Sequence, residues 1–139
     1  MLKQKEAWIY FIEILYKNNK FEEVVKACED ALEKNTKLKE AWYYMGISQY
    51  KLSKFVQAEY SSLKALEIDD KYINALFCLS VSLFRQQKYD KAEELCKKLL
   101  ELDKKNKQGL HNLRIILHKQ GKLEEAEKIN KEIEELNKS

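Results

Sequence analysis

Apolar residues recur along the chain at helical spacing, and the recurrence itself repeats. Sliding the sequence against itself gives a period of 34 residues without insertion or deletion, with units starting at Lys5, Lys39, Ile73 and Lys107. The fourth residue of each unit is large and apolar (Trp8, Trp42, Leu76, Leu110), and the seventh is Phe11, Met45, Leu79 or Leu113. The seventeenth is Phe21, Phe55, Tyr89 or Leu123, and the twentieth is short: Val24, Ala58, Ala92, Ala126. In the second unit Trp42, Met45, Gly46 and Gln49 fall at offsets of 3, 4 and 7, which is one face of a helix over 40–52. A second helix follows over 55–68, with Ala58, Ser62, Ala65 and Leu66 on its face. Short breaks fall at Asn18-Asn19-Lys20, Ser53-Lys54, Gln87-Lys88 and Gly121-Lys122, with helix-ending Asn or Gly in the first and last. Longer breaks fall at Asn35-Thr36, Asp69-Asp70 and Asp103-Lys104. The pattern predicts an all-α chain of eight helices, from near residue 5 to near residue 137. It divides one domain into a lead-in (1–4) and units 5–38, 39–72, 73–106 and 107–139. Small residues oppose each other within a unit, Gly46 with Ala58 and Ser80 with Ala92, so two antiparallel helices are expected to approach closely there.

These positions resemble the tetratricopeptide repeat, whose 34-residue pattern runs W-x2-L-G and then through aromatic, Ala and Pro positions. Unit two carries it most fully, in Trp42, Met45, Gly46, Tyr50, Phe55, Ala58 and Ala65. The resemblance covers residues 5–139 and implies a right-handed superhelical solenoid of four helix-turn-helix repeats. Three departures carry physical expectations. The family's proline near the unit end is Thr36, Asp70 and Lys104 here, which should leave those turns less rigid. Ile12 and Arg114 stand where a small residue is usual, so close packing should suffer at both ends of the array. A single repeat cannot bury its apolar face alone, and a stack must be closed at its ends. In unit four Asn130 and Glu134 replace Cys28, Ser62, Cys96 and Leu32, Leu66, Leu100 respectively, as in an outer helix that faces water. A piece of a longer array whose covering helix lies elsewhere is the alternative.

Composition narrows the chemistry. Apolar residues at 45% and charged residues at 35% suit a folded chain. Lys plus Arg is 26 against 23 Asp plus Glu, and the resulting +3 offers no clustered basic surface for nucleic acid. No apolar run approaches the roughly 20 residues of a membrane helix, and the opening MLKQKEAW has no signal-peptide core. His111 and His118 are the only histidines, with neither HExxH nor CxxC present, so no metal site is expected. Cys28, Cys78 and Cys96 fall in three separate helices, too far apart to bridge, as suits a reducing cytoplasmic or nuclear setting. The carboxylate pairs Glu22-Glu23, Glu93-Glu94 and Glu124-Glu125 open second helices, where the helix dipole favours them. No enzyme and no cofactor follow from these residues.

In the family that the chain resembles, residues two, five, six, nine, twelve and thirteen of a unit line the concave face. Here that face implies a partner-binding set of Ile9 and Tyr10; Tyr43, Tyr44, Ile47 and Tyr50; Phe77, Val81 and Phe84; and His111 and Ile115. Neighbouring repeats should absorb part of Tyr50 and Phe84, while Tyr10, Tyr44, Ile47, Val81 and Ile115 are expected to stay exposed. Such a surface suits a protein or peptide with apolar anchors. Residue thirteen is basic in every unit (Lys17, Lys51, Arg85, Lys119), an edge suited to acidic flanks of a ligand. Relatives that grip acidic chaperone tails do so with cations and Asn at fixed positions. Those positions are Ile9, Glu13, Tyr44, Asn74 and Cys78 in one frame, and Tyr43, Ile47, Cys78, Gln108 and Asn112 in the other. Neither frame has a cation, so no carboxylate clamp is expected. Two other readings are a homo-oligomer, formed through this surface or an uncapped end, and a targeting domain of a larger enzyme or co-chaperone.

Overall fold

A computed structural model of the chain describes residues 3–138; Met1, Leu2 and Ser139, at the ends of the expected lead-in and fourth unit, lie outside the described residues. The described residues form eight helices and no strand: α1 (Gln4–Lys17), α2 (Phe21–Lys34), α3 (Lys39–Lys51), α4 (Phe55–Ile68), α5 (Ile73–Arg85), α6 (Tyr89–Leu102), α7 (Lys107–Lys119) and α8 (Leu123–Lys138). Consecutive helices pack against each other. The odd-numbered helices also touch in the order α1, α3, α5, α7, whereas the even-numbered helices touch only odd-numbered ones. An array packed more tightly along one row than the other curves toward that row. The first helices of the pairs therefore line its inner side.

Both kinds of turn are set by backbone hydrogen bonds. After each odd helix one residue adopts positive φ: Asn19 at 59°, Ser53 at 62°, Gln87 at 65° and Gly121 at 78°. The Lys20 N–H donates to the Leu15 carbonyl and the Asn19 N–H to that of Tyr16, the paired bonds of a Schellman cap. The same pairs recur at Lys54 and Ser53, Lys88 and Gln87, and Lys122 and Gly121. Only Gly121 takes this conformation without a Cβ penalty. Ser53 and Gln87 carry no such signal, and the geometry of their helix pairs imposes it.

The longer turns lack proline, yet they are held. Asn35 (φ −148°, ψ 95°), Asp69 (φ −145°, ψ 100°) and Asp103 (φ −144°, ψ 85°) are extended. Their carbonyls accept from the N–H groups of Leu38, Tyr72 and Asn106 three residues on, closing β-turns. The Asn35 and Asp69 side chains add a bond each, accepting from the N–H of Lys37 and Lys71 at 3.1 Å. Asp69 also pairs with Lys39 Nζ at 2.6 Å. Side-chain bonds thus supply restraint that the sequence, read for its missing proline, did not lead one to expect.

Packing inside the units follows residue size. A Cβ on Gly46 would lie 3.2 Å from Ser62 Oγ and 3.3 Å from Ser61 Cβ, so α3 and α4 meet with no side chain between their backbones. In the next unit the Ser80 hydroxyl donates to the Ala92 carbonyl at 3.0 Å. At the N-terminal end Ile12 is not excluded as bulk. It is fully buried in a cluster with Val24, Ala27, Cys28 and Ala31. Arg114 is half-buried. The three cysteines are buried free thiols. Burial pushes Cys28 up to about 12 and Cys78 to about 11, so both stay protonated and unreactive. The far end is polar: α8 buries only Ala126 and Ile133, with Asn130 half-buried and Glu134 exposed.

Between the last two units an ion cluster crosses the stack. Glu93, 7% exposed, accepts from Lys122 Nζ at 2.8 Å and pairs with Lys97 Nζ at 2.6 Å. Burial alone would raise its pKa, but the bonds from Lys122, Lys97 and Gln120 outweigh that and hold the carboxyl at about 2.

Two predictions arise from these contacts. Position 70 follows an extended residue and is the second residue of a β-turn, where proline's fixed φ fits. Asp70→Pro is therefore expected to stabilise the chain by about 0.5–1 kcal/mol in urea unfolding, and a loss of stability would refute this account of the turn. Glu93 has its pKa depressed on folding, so its contribution is present above its ordinary value of 4.5 and is lost as pH falls from there toward about 2. Thermal melts in that window should show a steeper loss for the wild type than for Glu93→Gln, and parallel curves would contradict the cluster's role.

Candidate functional site

The inner row of helices forms a hollow over units two to four. Tyr50 of α3, Phe77, Val81, Phe84 and Arg85 of α5, and Lys107, Gln108, His111, Asn112 and Ile115 of α7 surround a groove of about 510 Å³. Every lining residue comes from a first helix, because those helices face inward. The floor is fixed by a buried polar network that ties α7 to α5 and α6. Asn112 Nδ2 donates to Ser80 Oγ at 2.9 Å and to Cys96 Sγ at 3.1 Å, and Ser80 Oγ lies 3.0 Å from Cys96 Sγ. Asn112 is 7% exposed, so its bonds are shielded from water and orient the helix that carries His111 and Ile115.

Of the expected partner-binding residues, six meet in this groove or on its rim: Tyr50, Phe77, Val81, Phe84, His111 and Ile115. Ile115 is 43% exposed, and His111 is exposed beside it. Tyr50 and Phe84 are half-buried because each ring packs against residue seventeen of its own unit, on Phe55 at 5.6 Å and on Tyr89 at 5.4 Å. Val81, expected to stay exposed, is only 8% exposed and forms floor rather than wall.

The remaining residues fall outside. Ile47 is only 5% exposed, against the expectation that it stays open, because the neighbouring first helices close over residue nine of an internal unit. Tyr43 and Tyr44 belong to a chain of edge-to-face rings. Tyr72 meets Tyr43 at 5.8 Å, Tyr43 meets Tyr44 at 5.0 Å, and Tyr44 meets Tyr16 at 5.6 Å. Both are half-buried, and burial, with the nearby Glu13 carboxylate adding to it, raises Tyr44 to about 12, so its hydroxyl stays neutral. Ile9 and Tyr10 line a separate depression of about 320 Å³ with Glu6 and Glu13.

Of the four residues of the expected basic edge, Arg85 alone lines the groove. Arg85 lies 4.5 Å over the Phe55 ring and lines the hollow. Lys17, Lys51 and Lys119 are exposed and stand outside it, and none of them takes part in an ion pair among the described residues. Lys107 does line the groove and was not anticipated. It is the first residue of its unit, and its position on the wall depends on how α7 is set against α5. Only its charge, next to Gln108, was visible in the sequence.

Comparison with known proteins fits this geometry. The tetratricopeptide-repeat sequence profile matches residues 83–138. MamA (residues 41 to the end) from Desulfovibrio magneticus RS-1 superimposes with a TM-score of 0.88 at 15% identity, over 97% of this chain and 76% of that one. Residues 83–138 thus match the tetratricopeptide-repeat family, and the chain as a whole has the fold of such arrays. Two other arrays of this family share the fold. YrrB, described as having an unusual peptide-binding site, superimposes with a TM-score of 0.80 at 20% identity, over 93% of this chain and 66% of that one. The first such domain of Spaghetti (RPAP3), solved with the HSP90 peptide SRMEEVD, gives 0.81 at 19% identity, over 85% and 96%. No curated protein matches by sequence. No helix among the described residues is long and apolar enough to cross a membrane.

The Asn112 network generates a direct test. Asn112→Ala leaves Ser80 and Cys96 short of a buried partner and is expected to cost about 1–3 kcal/mol in chemical denaturation. A change close to zero would mean the floor of the groove does not depend on this residue.

Proposed function

We propose that the chain is a non-enzymatic protein-interaction module that holds a peptide or helix with apolar anchors in the groove between units two and four. The observation that carries this reading is the groove itself: ring and branched side chains of Tyr50, Phe77, Phe84 and Ile115 between two cations, Arg85 and Lys107. An anchor fully buried against such a wall contributes roughly 1.5–3 kcal/mol. The two cations favour an acidic residue beside the anchors, which would speed association more than it strengthens the complex. The peptide complex of the RPAP3 domain and the peptide-binding site of YrrB support the general mode, since both share this fold.

The ligand is not an acidic chaperone tail gripped by its terminal carboxylate. Ile9, Tyr43, Ile47, Cys78 and Asn112 occupy positions where such a clamp places its charged and amide groups, and Cys78 and Asn112 are buried. The three buried thiols suit a reducing compartment, the cytoplasm or the nucleus.

Selection from a displayed random-peptide library tests the reading. Peptides enriched on the wild type are expected to share spaced apolar residues with an acidic neighbour. Ile115→Asp alters an exposed side chain and should leave the melting temperature unchanged. It should weaken the selected peptides by roughly tenfold or more, about 1.4 kcal/mol. Equal affinity for the variant would move the binding site elsewhere.

A further inference from the structure

The groove proposed above as a peptide site carries its two cations at opposite ends, and the levels between them decide how a ligand lies. Helices α5 and α7 hold the same place in successive units, run in the same direction and touch along the inner row. Lys107 is the first residue of α7, and Arg85 is the last of α5. They are residues one and thirteen of their units, so about 18 Å of helix axis separates their levels. With about 9 Å between neighbouring helices, their backbones lie about 20 Å apart. Both are exposed, and neither takes part in an ion pair among the described residues. Rings and branched chains fill two levels between them: Phe77 and His111 at residue five, Val81 and Ile115 at residue nine. Residues one, five, nine and thirteen therefore follow one another in steps of about 6 Å.

An extended peptide matches those steps. Side chains on one face of a strand recur every second residue, about 6.7 Å apart. Three such intervals span about 20 Å, the separation of Lys107 and Arg85, and the even count keeps the first and last side chains on the face that meets the groove. A helix matches poorly. It would need about 13 residues to span 20 Å, and a cylinder of that length and about 10 Å diameter occupies about 1,500 Å³. The groove offers about 510 Å³.

We propose that the ligand is an extended segment laid along α5 and α7, with the pattern acid-x-apolar-x-apolar-x-acid; this rests on the groove reading above. One carboxylate meets the Lys107 ammonium. The other meets the Arg85 guanidinium, whose planar fork donates to both oxygens. Arg85 is held over the Phe55 ring at 4.5 Å, so this end of the groove is well defined. Of the two apolar residues, one faces Phe77 and His111, and the other faces Ile115 above the floor formed by Val81. Because both ends are cationic, the pattern reads the same in either chain direction.

Sequencing the peptides that the chain enriches from a displayed random library tests this spacing. On the wild type they should align on acid-x-apolar-x-apolar-x-acid. Replacing either acid of a synthetic copy by its amide should weaken it by about threefold at physiological salt. Acids at helical spacing, or no shared acids, overturn the proposal. Lys107→Glu and Arg85→Glu should each convert one end of the enriched pattern from acid to base, and the double variant should convert both at the same spacing. Unchanged sequences on either single variant refute the assigned pairing. Ile115→Asp separates this proposal from the groove reading. If it weakens enriched peptides that lack the paired acids, the groove reading stands and the spacing falls. If it has no effect, or if nothing is enriched on the wild type, both fall. Should a charge reversal alter the circular dichroism spectrum, Arg85→Gln and Lys107→Gln decide the matter. Each should remove the preference for one acid, and a preference that persists overturns the proposal.

Discussion

The structure depends on one contact, made repeatedly: the second helix of each unit covers an apolar stripe on the first helix of the next. Ala41, Met45 and Ser48, then Ala75, Leu79 and Ser82, then Leu113 and Ile116, all reach near-complete burial this way. No unit achieves it alone. Stability is therefore shared between neighbours, and the ends of the array differ in kind from its middle. In α8 Asn130 and Glu134 stand where the earlier second helices carry less polar residues. At the N-terminal end the apolar residues are retained.

The same stacking shapes the groove. Because first helices touch one another and second helices do not, side chains on the inner row converge. Convergence has two results. It packs some rings together, as in the run from Tyr72 through Tyr43 and Tyr44 to Tyr16, and it leaves a hollow further along, where Ile115 and His111 stand opposite Phe77 and Tyr50. Polar groups placed deep between units keep this arrangement unique. Asn112 reaches across to Ser80 and Cys96, and Glu93 to Lys122, bonds that form only in the correct register of one unit on the next.

Helices were the most legible part of the sequence. The helix Phe55–Ile68 falls where the pattern places it, and Lys39–Lys51 differs from the expected 40–52 by one residue at each end. Periodicity reports local geometry well, since the side chains that share a face are fixed by the helical repeat. Turns were less legible. Asn19 and Gly121 announce a left-handed residue, but Ser53 and Gln87 adopt the same φ with no such signal. The Asx bonds of Asn35 and Asp69 likewise restrain turns whose missing proline suggested looseness.

For the candidate site, the sequence by itself determined which residues lie on the inner face and that the face is rich in rings. Tertiary structure decided which of them remain available. Ile47 and Ile115 occupy the same position of their units and the same face of their helices, yet one is sealed and the other is open. Exposure is a property of the neighbours: α3 lies between two first helices, whereas α7 has one on a single side. A repeat read alone contains no record of which units flank it. The 34-residue period therefore sets the direction of each side chain, and only the position of its unit in the stack sets whether water or another helix meets it.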